Sequence, residues 1–444
     1  MRKSERGEKD RGKRGAVGLF SVVQDRGDAP YFIDLFAGCG GLSLGLCLAG
    51  WRGLFAVERA EDAFATFKAN FIETGSRFRF DWEAWLPVEP LSIERVLKEH
   101  RADVARLRGR VGLVAGGPPC QGFSFAGRRS AADPRNRMFE KYVEFVEIVR
   151  PRLLVLENVP GMDVAHNGGR QARRKTYYQK LVERLDEIGY SALGAPMDAS
   201  EFGVAQRRRR LVVIGVSRDG VSRERADEAV ERMLAGVKGV GRKQLEQLNG
   251  GMVVSAVQAI SDLEAGEGAL LEECMDPPSP RGYRQVQYAG PKTAYQRELN
   301  GGVTFMDSMR LARHREEVME RFRLILEETK ERRGKNLSQE LREKIGTSRK
   351  HRVVPMDPNA PAPTITTLPD DMLHYREPRI LTVRECARLQ SFPDWFVFKG
   401  KYTTGGGKRK VECPRYTQVG NAVPPLLGRA IGVVLLQFLE EFAQ

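Results

Sequence analysis

The stretch Gly116–Ser124, with the sequence GGPPCQGFS, is the part of the chain around which the other motifs can be arranged. An apolar run from Val111 to Ala115 precedes it and predicts a short buried strand. Two glycines and two prolines then predict an abrupt turn, which presents Cys120 on a loop at the strand end. A thiol in that position suits a nucleophile, because loops on a rigid scaffold often carry the reacting groups. Taken alone, the stretch is equally compatible with a small buried cysteine in a proline-rich turn.

A strand, a glycine turn and a helix precede this stretch. Tyr31–Phe36 is an apolar run, the glycines Gly38 and Gly40 follow it, and the leucines of residues 42–48 form an apolar helix. This order predicts the opening unit of a doubly wound α/β sheet, in which glycines let a ligand approach the backbone. A second strand, residues 53–57, is expected to follow.

Glu58 ends that second strand about 20 positions after Gly38, the separation at which a carboxylate accepts from ribose hydroxyls. The glycine spacing departs from the GxGxxG pattern of dinucleotide sites. It therefore favours an adenosine ligand without a pyrophosphate, for which S-adenosylmethionine is the obvious candidate. Asp81 is expected to close a third strand, where its carboxylate would hold the adenine amine. The alternative for Asp81 is a surface carboxylate beside Trp82.

Two further motifs lie at the ends of predicted strands. Glu157 follows the buried run Leu153–Leu156, and so it lies at the edge where doubly wound sheets bind ligands. The sequence QRRRR at residues 206–210 directly precedes another apolar strand. Because alternate residues of an extended segment point the same way, Gln206, Arg208 and Arg210 are expected to share one face.

The βαβ pattern stops between residues 216 and 359, where glycines, charges and helical patches alternate and Glu316–Glu328 is the clearest helix. This segment predicts a separate recognition module. Ordered patterns return at residue 361, and the chain closes with an apolar helix over residues 426–438. Residues 1–29 are expected to be a flexible basic arm.

Composition narrows the function classes. The chain has 444 residues, of which 41% are hydrophobic, and a formal net charge of +14. A basic balance of this size indicates a polyanion partner, most often nucleic acid. The six cysteines contain no CxxC pair, which argues against zinc and against a disulfide framework, and no metal is expected. No apolar run approaches the roughly 20 residues that span a bilayer.

The chain resembles the cytosine carbon-5 DNA methyltransferases, because six blocks occur in the order found in that family. They are DLFAGCGG at 34–41, GGPPCQGFS at 116–124, ENV at 157–159, QRRRR at 206–210, RECARLQ at 384–390 and QVGN at 418–421. The resemblance implies a doubly wound, Rossmann-like methyltransferase sheet with a second, smaller target-recognition domain. Residues 30–216 with 410–444 would form the catalytic domain that binds S-adenosylmethionine, and residues 217–409 would read the DNA.

The resemblance also implies roles for individual residues. Cys120 would add to carbon 6 of a flipped cytosine, and Glu157 would neutralise the charge that develops on the ring. Arg210, supported by Arg208, would hold the ring carbonyl and a flanking phosphate. The expected cofactor-binding residues are Phe36, Gly38, Gly40, Glu58, Asp81, Pro118, Asn421 and Val423. The expected DNA-binding residues are Gln121, Ser124, Arg128, Arg129 and Gln206.

The implied partner is double-stranded DNA, bound by a monomer without any membrane, and a prokaryotic, cytoplasmic, nucleoid-associated location is expected. A restriction endonuclease is the expected functional partner. Three alternatives remain at this point. One is an RNA cytosine methyltransferase of the same fold, but its branch typically has a shorter recognition region and a Cys-Phe-Thr signature. The others are a catalytically silent DNA-binding regulator and a nicotinamide-dependent oxidoreductase.

Overall fold

The computed structural model of the protein describes residues 18–21, 27–119, 138–163, 175–346, 353–404, 408 and 412–442. Its centre is a six-stranded sheet in the order β2-β1-β3-β4-β6-β5. Strands β1 to β4 run parallel to their neighbours among themselves, and β6 is antiparallel to both β4 and β5. The strands are β1 (Tyr31–Leu35), β2 (Arg52–Val57), β3 (Val111–Gly116), β4 (Leu153–Asn158), β5 (Tyr190–Asp198) and β6 (Arg209–Ser217).

Helices cover both faces of this sheet, which confirms the predicted α/β architecture. Both faces are buried, so the four parallel strands are almost wholly apolar, as expected for strands covered on two sides. One face carries α1 (Gly41–Leu48), α2 (Glu61–Phe71), α7 (Arg223–Asn249) and α14 (Pro425–Phe442). The other carries α3 (Ile93–Glu99), α4 (Arg101–Ala105), α5 (Met138–Val149) and α6 (Tyr177–Glu187).

The segment after α7 forms smaller elements with two small apolar cores of their own. These elements are α8 (Ala256–Ile260), β7 (Leu271–Glu273), β8 (Arg284–Val286), α9 (Ala294–Asn300), α10 (Glu316–Glu328), α11 (Gln339–Lys344), β9 (Val354–Pro355) and β10 (Met372–Leu373). Helix α10 has the bounds that the sequence predicts. Helices α8 and α9 contribute to the main core as well, and α12 (Val383–Leu389) and α13 (Arg415–Asn421) complete it from this part of the chain.

Helix α7 lies inside the segment that the sequence assigns to target recognition, yet it packs on the catalytic sheet. Its Gln244 side chain donates to the carbonyl oxygens of Phe202, next to β5, and of Leu426 in α14, at 2.9 and 3.0 Å. Arg429 of α14 in turn donates to Gln244. The expected boundary at residue 217 therefore does not coincide with a change of packing partner, and residues of α8 and α9 after it also pack in the main core.

The expected flexible arm is also shorter than residues 1–29. Leu19 and Phe20 are only 3% and 5% exposed, and both belong to the main core. The backbone N–H of Phe20 donates to the carboxylate of Glu298 in α9 at 3.4 Å. Residues 18–21 are thus anchored by burial of two large apolar side chains.

Among the described residues, no single helix has both the length and the apolar composition to cross a membrane. One bent pair, residues 415–421 with residues 425–441, meets the test by length and composition alone.

Candidate active site

The carboxyl ends of β1, β2, β3 and β4 meet at one edge of the sheet, because the four strands are parallel and in register. Leu35, Val57, Gly116 and Asn158 are the last residues of these strands or lie beside their ends. Most of the sequence-predicted site residues follow these positions directly. The edge is where doubly wound sheets bind ligands.

The loop after β1 has an unusual backbone. Phe36, Gly38 and Gly40 all have positive φ angles, of 61°, 58° and 95°. Phenylalanine rarely adopts this conformation, and strained backbone of this kind gathers at functional sites. The loop is held by hydrogen bonds from the N–H of Ala37 to the oxygen of Val57 and from the N–H of Gly40 to the oxygen of Ala37, at 3.1 and 2.9 Å.

The two predicted glycines of this loop serve different purposes. A Cβ atom at Gly38 would meet nothing within 4 Å, so this glycine faces open space. A Cβ atom at Gly40 would lie 2.4 Å from the ring of Phe71 in α2. Close approach of a ligand is therefore possible at Gly38, whereas Gly40 is needed for packing of the loop against α2.

Glu58 closes this part of the site. Its two carboxylate oxygens accept the backbone N–H groups of Gly38, at 2.9 Å, and of Ala60, at 2.7 Å. Burial raises the pKa of Glu58, and these backbone donors oppose the rise. The carboxylate is oriented rigidly beside the open space at Gly38, and each oxygen keeps a lone pair for a further donor.

Asp81 does not belong to this edge, and the prediction for it is wrong. Residues 72–92 contain no strand, and the N–H of Asp81 donates to Gly53 at the opposite, amino end of β2. Its carboxylate pairs with Arg52 at 2.5 Å and is 43% exposed. Arginine neighbours thus hold this acid at the far end of the strand, a competing partner that sequence spacing alone does not reveal.

The segment that does return to the edge is Leu91–Ser92, which the sequence did not single out. The N–H of Leu91 donates to the oxygen of Glu58 at 2.8 Å. Ser92 then caps α3 by accepting from the N–H of Arg95. The sequence feature that could have indicated this return is a helix cap, Ser92, directly after an apolar residue. Residues 82–90 before it show no clear strand pattern, so the position of the segment was not predictable.

The end of β3 lies directly against β4. The side-chain amide of Asn158 donates to the oxygen of Pro118 at 3.1 Å, and the N–H of Gly117 donates to Leu35 at 3.2 Å. The chain segment leading to Cys120 is therefore held between β1 and β4. Cys120 itself lies outside the described residues, as do Gln121, Ser124, Arg128 and Arg129.

Glu157 and Arg210 form the charged centre of the edge. In the β4–β6 ladder Val212 lies opposite Glu157, so Arg210, two residues along, is on the same face. Nε of Arg210 lies 2.7 Å from Oε1 of Glu157, and both side chains are about a tenth exposed. The N–H direction does not meet that oxygen, and Oε1 accepts no hydrogen bond from any described residue. A buried acceptor of this kind is rare and suits an incoming donor.

Arg208 and Gln206 do not share the surroundings of Arg210, which corrects the predictions for both. Arg208 is 2% exposed and donates to the carbonyl oxygens of Ile365 and Gly420, at 3.2 and 2.9 Å. Gln206 is fully buried and accepts the N–H of Ile365 at 3.0 Å. Neither side chain is accessible to a DNA phosphate. Both join β6 to the returning chain instead.

Helix α13 brings the last block to the same edge. A Cβ atom at Gly41, the first residue of α1, would lie 2.2 Å from the carbonyl oxygen of Val423. The backbone of Val423 therefore packs on the first turn of α1. The thiol of Cys39 contacts the carbonyl oxygen of Gln418 at 3.7 Å. Asn421 is exposed at the end of α13. Arg208 ties the neighbouring Gly420 to β6, which positions this segment.

The described cysteines are poor nucleophiles. Cys39, Cys47, Cys274 and Cys386 are buried, and Cys413 is half-buried. Burial raises the pKa of Cys39, Cys47 and Cys386, and raises that of Cys413 to about 12. A thiol with a raised pKa carries little thiolate at neutral pH.

The family model of C-5 cytosine-specific DNA methylases matches residues 31–437, which is most of the chain. The chain belongs to this family. It is a DNA cytosine-5 methyltransferase, and DNA is its substrate. In this family the reaction passes through a covalent cysteine adduct of a base flipped out of the duplex.

Individual relatives agree with the family match. The Type II methyltransferase M.AgeI of Thalassovita gelatinovora is 31% identical over 459 residues, which cover 90% of this chain and 97% of that protein. M.DdeI of Desulfomicrobium norvegicum is 29% identical over 421 residues, which cover 92% and 89%. A solved prophage-encoded protein of E. coli, described as a DNA modification methyltransferase, has a TM-score of 0.57 and 23% identity over 93% of this chain and all of that one. This last likeness concerns the fold alone.

Proposed function

We propose that this methyltransferase marks one cytosine within a specific duplex sequence, takes its methyl group from S-adenosylmethionine, and uses Cys120 as nucleophile. The observation that carries the proposal is the pair Glu157–Arg210 at the sheet edge. A buried carboxylate oxygen that accepts from none of the described residues lies there beside a guanidinium, next to the segment that leads to Cys120. Burial of the other thiols, which raises the pKa of Cys39, Cys47, Cys386 and Cys413, favours Cys120 by contrast.

Methyl transfer needs both the Cys120 thiolate and the Glu157 carboxyl group, because carbon 5 of cytosine is a weak nucleophile. Addition of the Cys120 thiolate to carbon 6 forms an S–C bond and moves electron density to carbon 5. The ring then gains negative charge at nitrogen 3, where Glu157 would hold a proton. Arg210 would keep the Glu157 carboxylate in place and approach the ring carbonyl. After carbon 5 has been methylated, loss of its proton and expulsion of the Cys120 thiolate restore the aromatic ring.

The residues of the β1 and β2 ends suit an adenosine ligand. Glu58 would accept the ribose hydroxyls, Phe36 would lie against the adenine, and Gly38 leaves open the space that the ligand needs. Pro118, Asn421 and Val423 would line the methionine portion. S-adenosylmethionine, when bound, supplies an electrophilic methyl group on a sulfonium. Gly40 packs on Phe71 in α2, so we expect it to support the loop that binds the cofactor rather than to contact the cofactor itself.

The target base must leave the stack to reach such a recessed edge. Gln121 would fill the vacated space, and Ser124, Arg128 and Arg129 would contact the backbone near the flipped base. The run Lys408–Lys410, with the sequence KRK, is a further basic segment suited to phosphates, and Lys408 is exposed. We place the DNA-reading part after Asn249, because α7 packs on the catalytic sheet.

The decisive test uses duplexes that carry 5-fluorocytosine at the target, from which carbon 5 cannot lose its substituent. Wild-type protein is expected to form a covalent complex that survives denaturation, and Cys120→Ser is expected to form none while still binding S-adenosylmethionine. Cys413→Ser is the matched control and is expected to trap DNA like the wild type. A trapped complex with Cys120→Ser would refute the assignment.

The biological role that we propose is the modification half of a restriction–modification pair, with the enzyme acting as a monomer on the DNA. Several bacterial relatives carry Type II methyltransferase names, which supports this role. A cytoplasmic location beside the nucleoid follows from the substrate. Bisulfite sequencing of DNA from cells that express the protein would test the proposal, since it reports carbon-5 methylation and the target sequence together. Methylation of RNA in place of DNA would contradict it.

A further inference from the structure

Two arginines of the segment after α7 are held by aromatic rings. The guanidinium of Arg310 lies over the rings of Tyr402 and Tyr283, 3.7 and 4.5 Å from their centroids. Arg313 lies over the ring of Tyr283 as well, at 5.6 Å. Tyr402 is only 2% exposed, and its hydroxyl donates to the buried Asp276. The two rings therefore restrict the guanidinium of Arg310 from two sides, and one ring supports that of Arg313.

The hydrogen-bond donors of these two arginines are uncommitted. Within the described part of the chain, neither guanidinium donates a hydrogen bond to another residue or pairs with a carboxylate. The neighbouring arginines differ, because Arg284 donates to two backbone oxygens and Arg415 donates to Asp276, Ser308 and Pro277. Arg310 is half-buried and Arg313 is exposed. The N–H groups of Arg310 and Arg313 are therefore available to water or to a bound ligand, as far as the described residues are concerned.

The position of this cluster relates it to the active site. Tyr402 follows Gly400, where a Cβ atom would lie 2.5 Å from Asp62 in the first turn of α2. The same ring also contacts Arg415, which begins α13. Helix α13 has seven residues, a length of about 10 Å, and ends beside the cofactor edge. The cluster is therefore on the order of 10 to 20 Å from the site, which corresponds to a few base pairs at 3.4 Å each.

We propose that Arg310 and Arg313 read guanine in the target duplex, each with its planar fork directed at the base edge in the major groove. This inference rests on the proposed function and names the residues that set its sequence preference. Guanine presents two acceptors, O6 and N7, and arginine is the side chain that most often binds them bidentately. Arg281 and Met275, exposed at the same turn beside Tyr283, would border the contact.

A phosphate contact is the competing explanation for free arginine donors. A phosphate binds lysine, whose ammonium is a point charge, as well as arginine. It therefore does not need a defined orientation of the guanidinium plane. Two ring faces on Arg310 restrict its orientation strongly. This arrangement is more useful for the planar edge of a base, where a tilt of the fork breaks one of the two hydrogen bonds.

Lysine substitutions separate the two explanations because they retain the charge and remove the fork. Full-length wild type, Arg310→Lys and Arg313→Lys are compared on a library of duplexes with every base varied around the methylated cytosine, followed by bisulfite sequencing. We expect each variant to lose preference for guanine at one position by about ten- to hundredfold. Its binding to non-target DNA and the salt dependence of that binding should stay near wild type. Arg321→Lys, an exposed arginine of α10 without a ring contact, is the matched control and should behave as wild type.

Unchanged base preference at every position in both variants would overturn the inference. Arg310→Ala and Arg313→Ala are measured as well. A uniform loss of their binding over all sequences, with a reduced salt slope, would also overturn the inference, because that result identifies phosphate contacts. Thermal unfolding of each variant shows whether Arg310→Lys is folded, and the exposed Arg313 decides the question if it is not. Failure of the wild type to methylate any duplex would count against the proposed function itself, which distinguishes the two failures.

Discussion

The buried pair at the sheet edge shows how one side chain prepares another. Arg210 compensates the charge of Glu157 at 2.7 Å, while Oε1 accepts a hydrogen bond from none of the described side chains or backbone groups. A fully hydrogen-bonded pair would have to break before a base could bind. A carboxylate without any cation would be costly to bury. The observed geometry avoids both costs.

Replacing Glu157 by Gln tests whether this carboxylate takes part in the reaction. The change preserves shape but removes the group that would hold a proton at ring nitrogen 3. We expect turnover to fall by roughly 10²- to 10⁴-fold, the usual contribution of acid–base catalysis, with little change in cofactor binding. Single-turnover methylation of a target duplex measures the effect, and Glu187→Gln on the surface of α6 is the control. Undiminished turnover would show that Glu157 only supports the fold.

Asp34 gives the protein a pH-dependent stability. It is 1% exposed in the middle of β1, where it accepts a hydrogen bond from Ser43 at 2.6 Å. Burial raises its pKa to about 7. An unfolded chain has an aspartate pKa of about 3.9, so the folded state binds the proton more tightly. The contribution of the neutral Asp34 to stability is therefore complete below about pH 4 and is lost as the pH rises to about 7.

The variant Asp34→Asn should remove this dependence because the amide does not titrate and still accepts from Ser43. At pH 8 we expect the variant to be more stable than the wild type, by at most about 4 kcal/mol, and at pH 4 to be similar. Denaturant unfolding at both pH values provides the comparison. Burial also raises the pKa of Glu58, and repulsion from Glu58 adds to the rise at Asp34, so the substitution removes this repulsion as well. Parallel pH profiles would disprove the assignment.

Single residues show where sequence reasoning succeeds and where it ends. The positions of Glu58, Glu157 and Arg210 at the sheet edge were predictable because each follows or faces a strand that an apolar run marks, whereas their roles remain predictions. Asp81 and Arg208 were not, because both have local surroundings typical of a site but are taken up by other partners, Arg52 in one case and two carbonyl oxygens in the other. Such competition depends on tertiary contacts, which spacing does not encode.

At the scale of elements, the loop between β1 and α1 combines two requirements. It must leave open space on one side for a ligand and must pack tightly against α2 on the other. Gly38 meets the first requirement and Gly40 the second, although a motif treats the two as equivalent. Both also have positive φ angles, which glycine adopts without the penalty of a side chain.

Alanine substitutions should therefore separate binding from folding in this loop. Gly40→Ala places a methyl group against Phe71, so we expect a loss of stability of several kcal/mol or a failure to fold. Gly38→Ala meets no protein atom, and we expect a loss of only about 1 kcal/mol from the positive φ angle. Its affinity for S-adenosylmethionine should nevertheless fall at least tenfold. Thermal unfolding and calorimetric titration measure the two effects, and the reverse order would contradict this division.

Helix α7 shows why the domain boundary was not predictable. The glycines in its sequence favour an interrupted helix. In the structure, however, Gly236 packs against Val434 and Gly241 packs against Phe202. They permit close packing on α14 and the sheet. The apolar periodicity indicates a buried face, but only the structure shows which surface covers it. By contrast, β1, β3 and β4 have bounds that their apolar runs predict closely.

At the scale of the whole molecule, three buried ion pairs join the segment after α7 to the catalytic core. Asp262, Asp276 and Asp307 come from that segment, and their partners come from the core that follows it. Arg388 pairs with Asp262 at 3.1 Å, Arg415 pairs with Asp276 at 2.6 Å, and Arg384 pairs with Asp307. Removing Asp307 should cost about 3–5 kcal/mol, because it leaves the buried charge of Arg384 without a carboxylate. Removing Asp262 should cost less, because Asp394 still pairs with Arg388 at 2.5 Å.

These pairs determine how the recognition segment can be exchanged. A chimera that takes residues 250–360 from a related enzyme and retains the three aspartates should fold, keep its affinity for S-adenosylmethionine and methylate the donor's sequence. The same chimera with Asp262 and Asp307 replaced by Ala is the matched control and should unfold at a much lower temperature. An exchange that begins at residue 217 should also lose stability, because it separates α7 from α14. Bisulfite sequencing and thermal unfolding measure the outcomes. A stable first chimera that still methylates the original sequence would show that the segment does not choose the target, and would favour a role in binding a partner.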